Sequence, residues 1–407
     1  MMEKKKQLFS YKSSEQMMPQ EQLMNIEKKS NRFSLGIPKE EYFQERRIPL
    51  APESVAMLVE QGHHIKIQEG AGRAAHFNDI EYIEAGATIA KEAEEIYKSD
   101  IILKVAPPTI EEIDMIDPRK VLISALHTTM QKRSFFTGLM QKKITAFCFE
   151  EIKDETGNRP IIQSINEIVG NSTILIAASY LASPTHGKGN LLGGFTGITP
   201  TEIVIIGSDT VAAFAAKTAI GMGATVKIFD NNITRLRQLI LSLPGPVFSS
   251  IIQPKVLSKA LTTADVVIGA FNMPPSGNMP YVVTEEMVKK MKSGAVLIDV
   301  SIDYGGCIET SSCTSHKDPV YVKHGVTHYA VPNIASRYAR TASYALSNYF
   351  TPLLLRMGDY SSLDKFILDD KGFLSGIYVF KGILVNYAIG KQFNIPSQDI
   401  DLLMAAF

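Results

Sequence analysis

The segment 201–230 constrains the fold of this chain more than any other part. It reads TEIVIIGSDTVAAFAAKTAIGMGATVKIFD: an apolar strand, a turn at Gly207, an alanine-rich helix and a second apolar strand that ends in Asp230. A glycine turn that opens a helix directs free backbone N–H groups and the positive end of the helix dipole toward an anion. An acid about 20 residues farther along can accept hydrogen bonds from a ribose. The segment therefore predicts a dinucleotide-binding βαβ unit.

The glycine fingerprint of this unit departs from G-x-G-x-x-G/A at one position. It reads GSDTVA over 207–212, so an aspartate replaces the second glycine, which normally lets the backbone approach the pyrophosphate. A carboxylate about 4 Å from a phosphate would cost roughly 4 kcal/mol at an effective dielectric near 20. An aspartate at a helix start can also cap that helix itself. We assign cofactor binding to Gly207, Asp209, Val211 and Asp230, and the terminal acid favours NAD over NADP.

Length, charge and cysteine usage exclude several classes of protein. A chain of 407 residues is long enough for two domains with sizeable cores. Lys+Arg and Asp+Glu both total 42, which argues against nucleic acid or an acidic surface as a partner. The three cysteines show no metal or CxxC spacing, so we predict no metal site and reduced thiols. No apolar run reaches about 18 residues and no apolar signal core is present, so we predict a cytoplasmic protein without a membrane segment.

Strands and helices alternate along most of the chain, which predicts an α/β fold of two doubly wound Rossmann-like domains separated by a cleft. We assign residues 1–33 to a polar extension, 34–165 with about 335–407 to a substrate domain, and 166–334 to an NAD-binding domain. The predicted strands outside the βαβ unit are 34–37, 64–69, 100–105, 121–125, 144–149, 266–270, 295–300 and 327–331. The predicted helices are 52–60, 79–85, 90–98, 132–142, 165–181 and 284–291. The tail from 340 onward has a helical pattern broken near 358–361, and we expect 374–393 to pack against the first domain.

Polar residues at the ends of predicted strands are the candidates for chemistry, because ligands bind at the carboxyl ends of open α/β sheets. Arg47 could hold a carboxylate with its planar guanidinium. Lys104 interrupts the apolar run IILKVAP and needs a partner, an anionic ligand or a route to solvent. His127 follows a strand directly and is either structural or a proton-transfer group. Asp303 lies beside two glycines after a buried strand, and Asp299 earlier on that strand has a structural interpretation.

The chain resembles the alanine dehydrogenase / proton-translocating transhydrogenase N-terminal domain family from about residue 35 to its C-terminal region. The shared motifs are LGIPKE-x6-RIPLAP (35–52), EGAGRAAHFND (69–79), EYIEAGATI (81–89), ILKVAPP (102–108), LLGGFTGI (191–198), VTEEMVKKMKSGAVLIDVSIDYGG (283–306) and HYAVPNIASRYARTASYALSN (328–348). Alanine dehydrogenases carry Arg, Lys, His and Asp at the positions of Arg47, Lys104, His127 and Asp303. Transhydrogenase domains typically lack the histidine and this aspartate, so the resemblance is with the dehydrogenases.

This resemblance implies NAD-linked, reversible deamination of L-alanine to pyruvate and ammonium. It implies that Arg47 and Lys104 bind substrate, that His127 and Asp303 are catalytic, and that Asn333 lies near the nicotinamide. Asn166 stands where the family usually has a serine. Family members commonly form hexamers, so a homo-oligomer is expected. Two alternatives stay open: a related amino- or imino-acid oxidoreductase, and a non-catalytic paralogue that binds a small acid, which Asp209 supports.

Overall fold

Two β-sheets covered by helices account for most of this computed structural model, which describes residues 32–42, 44–271 and 280–405. Residues 1–31 of the predicted polar extension therefore lie outside the described residues. The strands are β1 (Ser34–Ile37), β2 (His64–Gln68), β3 (Thr88–Ala90), β4 (Ile101–Leu103), β5 (Val121–Ser124), β6 (Thr145–Cys148), β7 (Glu202–Ile206), β8 (Thr225–Phe229), β9 (Phe248–Ser250), β10 (Val266–Gly269), β11 (Val296–Asp299), β12 (Val320–Lys323), β13 (Val326–Tyr329), β14 (Ile377–Phe380) and β15 (Ile383–Leu384).

Helices connect these strands and cover both sheets. They are α1 (Pro52–Glu60), α2 (Asp79–Glu84), α3 (Ala93–Tyr97), α4 (Ile110–Met115), α5 (Arg133–Gln141), α6 (Pro160–Leu181), α7 (Thr210–Gly221), α8 (Ile233–Ser242), α9 (Pro254–Thr263), α10 (Glu285–Val288), α11 (Ala339–Asp359), α12 (Leu363–Asp369), α13 (Lys371–Leu374), α14 (Tyr387–Phe393) and α15 (Ile400–Ala405).

The first sheet has eight strands in the order β15-β14-β6-β5-β4-β1-β2-β3. Strands β1 to β6 pair in parallel, and β14 joins β6 in the antiparallel direction. Every residue of β4, β5 and β6 is buried, as expected for parallel strands covered by helices on both faces.

The second sheet has seven strands in the order β12-β13-β11-β10-β7-β8-β9, all parallel except β12. The predicted dinucleotide-binding unit is β7-α7-β8, and β7 and β8 pair in parallel along their full length. Strands β8 and β10 flank β7 on opposite sides, so the chain order reverses at β7. This reversal creates the crevice in which ligands of open α/β sheets bind. The predicted α/β fold of two doubly wound domains is confirmed.

The long helices α6 and α11 pack against each other. A Cβ atom added at Gly170 of α6 would lie 2.5 Å from the carbonyl oxygen of Val211, so only glycine permits the close approach of α6 to α7. By length and apolar composition alone α6 could cross a membrane, but half of its most apolar stretch is buried inside the protein. Its sequence pattern is accounted for by its position in the core.

The C-terminal tail is one part of the chain where the prediction of secondary structure was wrong. Helix α11 agrees with the predicted start of the tail, but β14 and β15 form a hairpin where the pattern indicated helix. The hairpin turn contains Lys381 and Gly382, both with positive φ, and β14 has the aromatic and β-branched sequence IYVF. The segment does pack on the first sheet, as edge strands next to β6. Strand β3 was also missed, and its last residue, Ala90, was assigned to the predicted helix 90–98.

Candidate functional site

A cavity of about 140 Å³ lies where the carboxyl ends of the two sheets face each other. Its lining includes Ala125 and Phe149 beyond β5 and β6, and Ala270 and Val300 beyond β10 and β11. Six of the nine predicted site residues line it: Arg47, His127, Asp209, Val211, Asp303 and Asn333. Lys104, Gly207 and Asp230 are not part of this lining. The expectation that strand ends bring the candidate residues together therefore holds for residues from both sheets.

Arg47 is held in place by a carboxylate that the sequence interpretation missed. Its Nε and Nη2 donate to the two oxygens of Glu45, at 2.8 and 2.6 Å. Glu45 also accepts hydrogen bonds from Asn333 Nδ2 at 2.8 Å and from Ser336 Oγ at 3.2 Å. Burial raises the pKa of Glu45, but the charge and hydrogen bonds of Arg47 outweigh it and lower that pKa to about 2. Within the described residues nothing bonds Arg47 Nη1, so this nitrogen can bind an incoming anion.

His127 and Asp303 reach the cavity from different sheets. His127 follows β5 with φ 44 and starts a 3-10 turn, and Asp303 lies in the 3-10 turn after β11. Oδ1 of Asp303 accepts a hydrogen bond from the backbone N–H of Asn333 at 3.1 Å. Burial raises the pKa of Asp303 to about 6, while the nearby His127 and the Asn333 N–H act in the opposite direction. The two side chains thus come near each other where the two sheets meet.

Lys104 comes immediately after β4 and is not part of the cavity lining. Its side chain is 1% exposed, and its Nζ lies 3.0 Å from Glu40 Oε2 and 2.8 Å from Glu112 Oε1. Tyr97 donates a further hydrogen bond to Glu112. The interpretation of Lys104 as a lysine that reaches solvent is therefore wrong, because two carboxylates hold its ammonium inside the protein. The T-x-x-E pattern over 109–112 identifies Glu112 as part of a capping box at the start of α4, but it does not indicate that Glu112 pairs with Lys104.

The phosphate turn has the backbone that its sequence predicts. Gly207 has φ 120, and a Cβ atom there would lie 2.1 Å from the carbonyl oxygen of Ala270, so only glycine fits. Asp230 follows β8, and its two oxygens accept hydrogen bonds from Ser208 Oγ and from the Asn232 N–H, each at 2.7 Å. Gly207 and Asp230 thus shape the turn, although neither lines the cavity.

Asp209 caps helix α7, as the sequence suggested. Its carboxylate accepts a hydrogen bond from the backbone N–H of Ala212 at 3.5 Å, and the residue lines the cavity. The positive end of α7 therefore already has a carboxylate in front of it. A dinucleotide pyrophosphate would have to bind beside this negative charge.

Two further residues of the cavity lining were missed as functional candidates or left without a role. Glu150 follows β6, and its Oε2 accepts hydrogen bonds from the Leu126 N–H at 3.4 Å and from Cys148 Sγ at 3.6 Å. Glu150 could have been found from the sequence by the criterion used for the other candidates, which was a polar residue just past a buried strand. Asn166 contributes from α6. Within the described residues, no group of three His, Cys, Asp or Glu side chains is arranged to hold a metal ion.

Comparison with known proteins identifies the family of this chain. Residues 36–169 match the family model "Alanine dehydrogenase/PNT, N-terminal domain" and residues 173–387 match "Alanine dehydrogenase/PNT, C-terminal domain". An alanine dehydrogenase of Staphylococcus saprophyticus is 34% identical over 368 residues, which cover 90% of this chain and 98% of that protein. An alanine dehydrogenase of Methanococcus maripaludis is 35% identical over 364 residues, 89% of this chain and 97% of that protein.

Solved structures agree with this result. A solved L-alanine dehydrogenase superposes with a TM-score of 0.82 at 34% identity, covering 89% of this chain and 99% of that one. A transhydrogenase from Sinorhizobium meliloti has a TM-score of 0.75 at 23% identity, covering 86% and 100%, and this likeness shows the shared fold alone. The chain belongs to the alanine dehydrogenase/PNT family.

Proposed function

We propose that this protein catalyses the reversible oxidative deamination of L-alanine with NAD⁺ and water to pyruvate, ammonium, NADH and a proton. The observation that carries the proposal is the cavity in which Arg47, His127 and Asp303 meet opposite the phosphate turn of β7-α7-β8. It combines an anion-binding group, a proton-transfer group and an acid at a dinucleotide-binding crevice.

The residues around the crevice fit NAD on most counts. Gly207 provides the tight turn, and each oxygen of the Asp230 carboxylate has one protein partner, which leaves lone pairs for ribose hydroxyls. Asn333 also lines the cavity, and the family resemblance implies that it lies near the nicotinamide. Asp209 is the residue at the start of α7 whose charge opposes the pyrophosphate. We therefore expect NAD to bind, with an affinity reduced by this carboxylate.

The roles of the cavity residues follow from their contacts. Arg47 would bind the substrate carboxylate through Nη1 while Glu45 keeps the guanidinium plane fixed. NAD⁺, when bound, supplies the hydride acceptor of the reaction. His127 would transfer protons to and from water and the carbinolamine as that intermediate forms and collapses. Asp303 would orient the attacking water and offset the positive charge of the iminium intermediate.

Lys104 is proposed to support this site without direct contact in the described conformation. The family resemblance implies that it binds substrate, but Glu40 and Glu112 occupy its ammonium. A direct contact would require Lys104 to leave a buried pair of carboxylates, which is unfavourable. We therefore favour a positioning role, in which Lys104 orders the chain between β4 and α4.

Two alternative functions differ from this proposal, one in its substrate and the other in lacking the redox reaction. A related amino- or imino-acid oxidoreductase would use the same cavity for another substrate. A non-catalytic paralogue would bind a small acid at Arg47 but no dinucleotide, and the carboxylate of Asp209 in the cavity wall is the observation that favours it. We also propose that the protein is cytoplasmic and forms a homo-oligomer, as family members commonly do.

The proposal is tested by NADH formation from L-alanine and NAD⁺ at mildly alkaline pH, with NADP⁺ and a panel of other amino acids as controls. NADH binding is measured separately by its fluorescence. Turnover that depends on L-alanine and NAD⁺ is the expected result. Turnover with a different amino acid would support the related oxidoreductase. A folded protein that binds pyruvate but neither binds NADH nor turns over would support the non-catalytic paralogue.

A further inference from the structure

A second cavity lies at the opposite end of the first sheet from the active-site cavity. It has a volume of about 470 Å³ and is lined at the start of β5 and β6, whereas the active-site cavity lies beyond the carboxyl ends of these strands. We call it the basal groove and define it by Arg119, Lys143, Thr145, Ser362 and Lys381, which all line it. No residue of the reaction described above belongs to it.

The basal groove concentrates positive charge in a chain whose total charge is zero. Arg119 and Lys143 form no ion pair and no side-chain hydrogen bond with the described residues. Lys381 pairs with Asp364 at 2.8 Å, and this aspartate is the acidic residue of the lining. Three cations and one carboxylate therefore give the groove a net positive charge. An adjoining cavity of about 480 Å³ shares Arg119 and adds Lys120, which is paired with Asp100.

The backbone at all three cations has a conformation that favours glycine. Arg119, Lys143 and Lys381 have φ values of 65, 54 and 47. Lys143 follows the C-cap of α5, where its N–H bonds the carbonyl of Met140 and the next N–H bonds that of Leu139. This is the position at a helix end that glycine usually occupies, because it has no Cβ atom to clash in the left-handed region.

Three long cationic side chains thus stand at three turns where glycine would be the less strained residue, and all three line one groove. Strained positions of this kind persist where the surrounding structure holds them, and they cluster at active sites and ligand-binding positions. The arrangement is not explained by ion pairing, since two of the three cations have no acidic partner in the described part of the chain.

We propose that the basal groove binds a small phosphate-bearing anion of at least two negative charges. Its volume lies within the roughly 300–1,000 Å³ typical of small-molecule sites. The guanidinium of Arg119 offers a planar donor pair to phosphate, and Lys143 adds a compact charge. Thr145 Oγ1 and Ser362 Oγ each accept one backbone N–H, so both hydroxyl protons remain to be donated.

The test is calorimetric titration of the full chain with inorganic tripolyphosphate, in the natural protein and in the double variant Arg119→Gly/Lys143→Gly. Because both positions have positive φ, glycine removes the charges and relieves the backbone at once. We expect the double variant to bind roughly tenfold or more weakly while its melting temperature stays equal or rises. The control Lys91→Gln/Lys255→Gln removes two exposed charges elsewhere and should bind as the natural protein does.

Three results would overturn the proposal. The first is no binding of tripolyphosphate to the natural protein at millimolar concentration. The second is the same affinity in the double variant, or an equal loss in the control, which would mean binding through total charge only. The third is competition between tripolyphosphate and NADH, which would place the anion in the active-site cavity instead of the basal groove.

Discussion

The two walls of the proposed active-site cavity differ in where the counter-ion lies relative to the positive charge that it balances. On the wall of the first sheet, the charged group that would meet the ligand is Arg47, and its counter-ion Glu45 stands behind it, braced by Asn333 and Ser336. On the wall of the second sheet, the positive end of α7 lies behind and the carboxylate of Asp209 stands in front. The positive charge on each wall is balanced by a carboxylate without a ligand. Only the first wall still presents to the cavity the charge that its ligand needs.

This difference shows that a binding group can have a counter-ion within the protein and yet be either well oriented for its ligand or blocked from it. A counter-ion placed behind a binding group orients that group and leaves it available. A counter-ion placed in front competes with the ligand for the same donors and adds charge repulsion. The substrate wall should therefore be sensitive to almost any change, whereas the cofactor wall should improve when its carboxylate is removed.

The largest effect is expected for Arg47→Lys, which would break the substrate wall. Lysine keeps the charge but cannot hold both oxygens of Glu45 and a substrate carboxylate at the same time. We expect kcat/KM for L-alanine to fall roughly 10³-fold, or about 4 kcal/mol. Steady-state kinetics measure this, with Arg46→Lys at the exposed neighbouring position as the matched control. Similar kinetics for the two variants would contradict the role given to Arg47.

The second largest effect is expected at Asp209 and has the opposite sign. Asp209→Gly removes the carboxylate, and we expect NADH to bind about 10²-fold more tightly, or about 3 kcal/mol, somewhat less than the Coulomb limit. Loss of the helix cap to glycine costs only a few tenths of a kcal/mol, so stability should hardly change. Asp209→Asn is the control, because it keeps a cap acceptor and removes the charge. Unchanged NADH affinity in both variants would show that Asp209 does not face the cofactor.

A smaller loss is expected for Glu45→Gln, which removes the charge behind Arg47 and keeps the shape. We expect kcat/KM to fall roughly 30-fold, which corresponds to about 2 kcal/mol in transition-state stabilisation. We expect the free energy of unfolding at neutral pH to fall by about 2 kcal/mol as well. Because the folded pKa of Glu45 is lowered to about 2, its contribution is complete above its unfolded value of about 4.3 and is lost as pH falls through 2.

Urea unfolding at a series of pH values tests this sign for Glu45. The stability difference between the natural protein and Glu45→Gln should be constant above about pH 5 and should shrink below it. Ser336→Ala is the control, because it removes one hydrogen bond to Glu45, together with the Ser336 contacts to the Gln44 carbonyl and the Arg46 N–H, but keeps the Glu45 charge. Its stability difference should therefore depend less on pH. A difference that grows toward acid pH would refute the assignment.

The smallest effect is a gain in stability from Asp303→Asn. Because burial raises the folded pKa of Asp303 to about 6, ionising it destabilises the fold. The penalty is absent below the unfolded value of about 3.9, grows up to pH 6 and is complete above it. Allowing for partial exposure and for His127, we expect the variant to be more stable by about 1 kcal/mol at pH 8 and unchanged near pH 4. Denaturant unfolding at both pH values measures this, and a loss of stability at pH 8 would contradict it.

Local sequence determined the elements whose signals are complete within a few residues. The β7-α7-β8 unit, the glycine at position 207 and the capping role of Asp209 could be predicted because the turn, the helix start and the strands each have their own local pattern. The position of His127 and Asp303 at a crevice was also predictable, because each follows a buried strand and ligands of open α/β sheets bind beyond the carboxyl ends of the strands. Family likeness then supplied the reaction that these residues fit.

Only the tertiary structure decided which charges face each other over long sequence separations. The ammonium of Lys104 is held by Glu40 and Glu112, and Glu45 accepts a hydrogen bond from Asn333, 288 residues farther along the chain. The C-terminal hairpin became strands because the exposed edge of β6 offered backbone hydrogen bonds that no local helix pattern reveals. Local propensity acts over a few residues, whereas desolvation of a charge or pairing of a sheet edge depends on the whole fold, and for that reason the sequence determined the elements and the tertiary structure decided their partners.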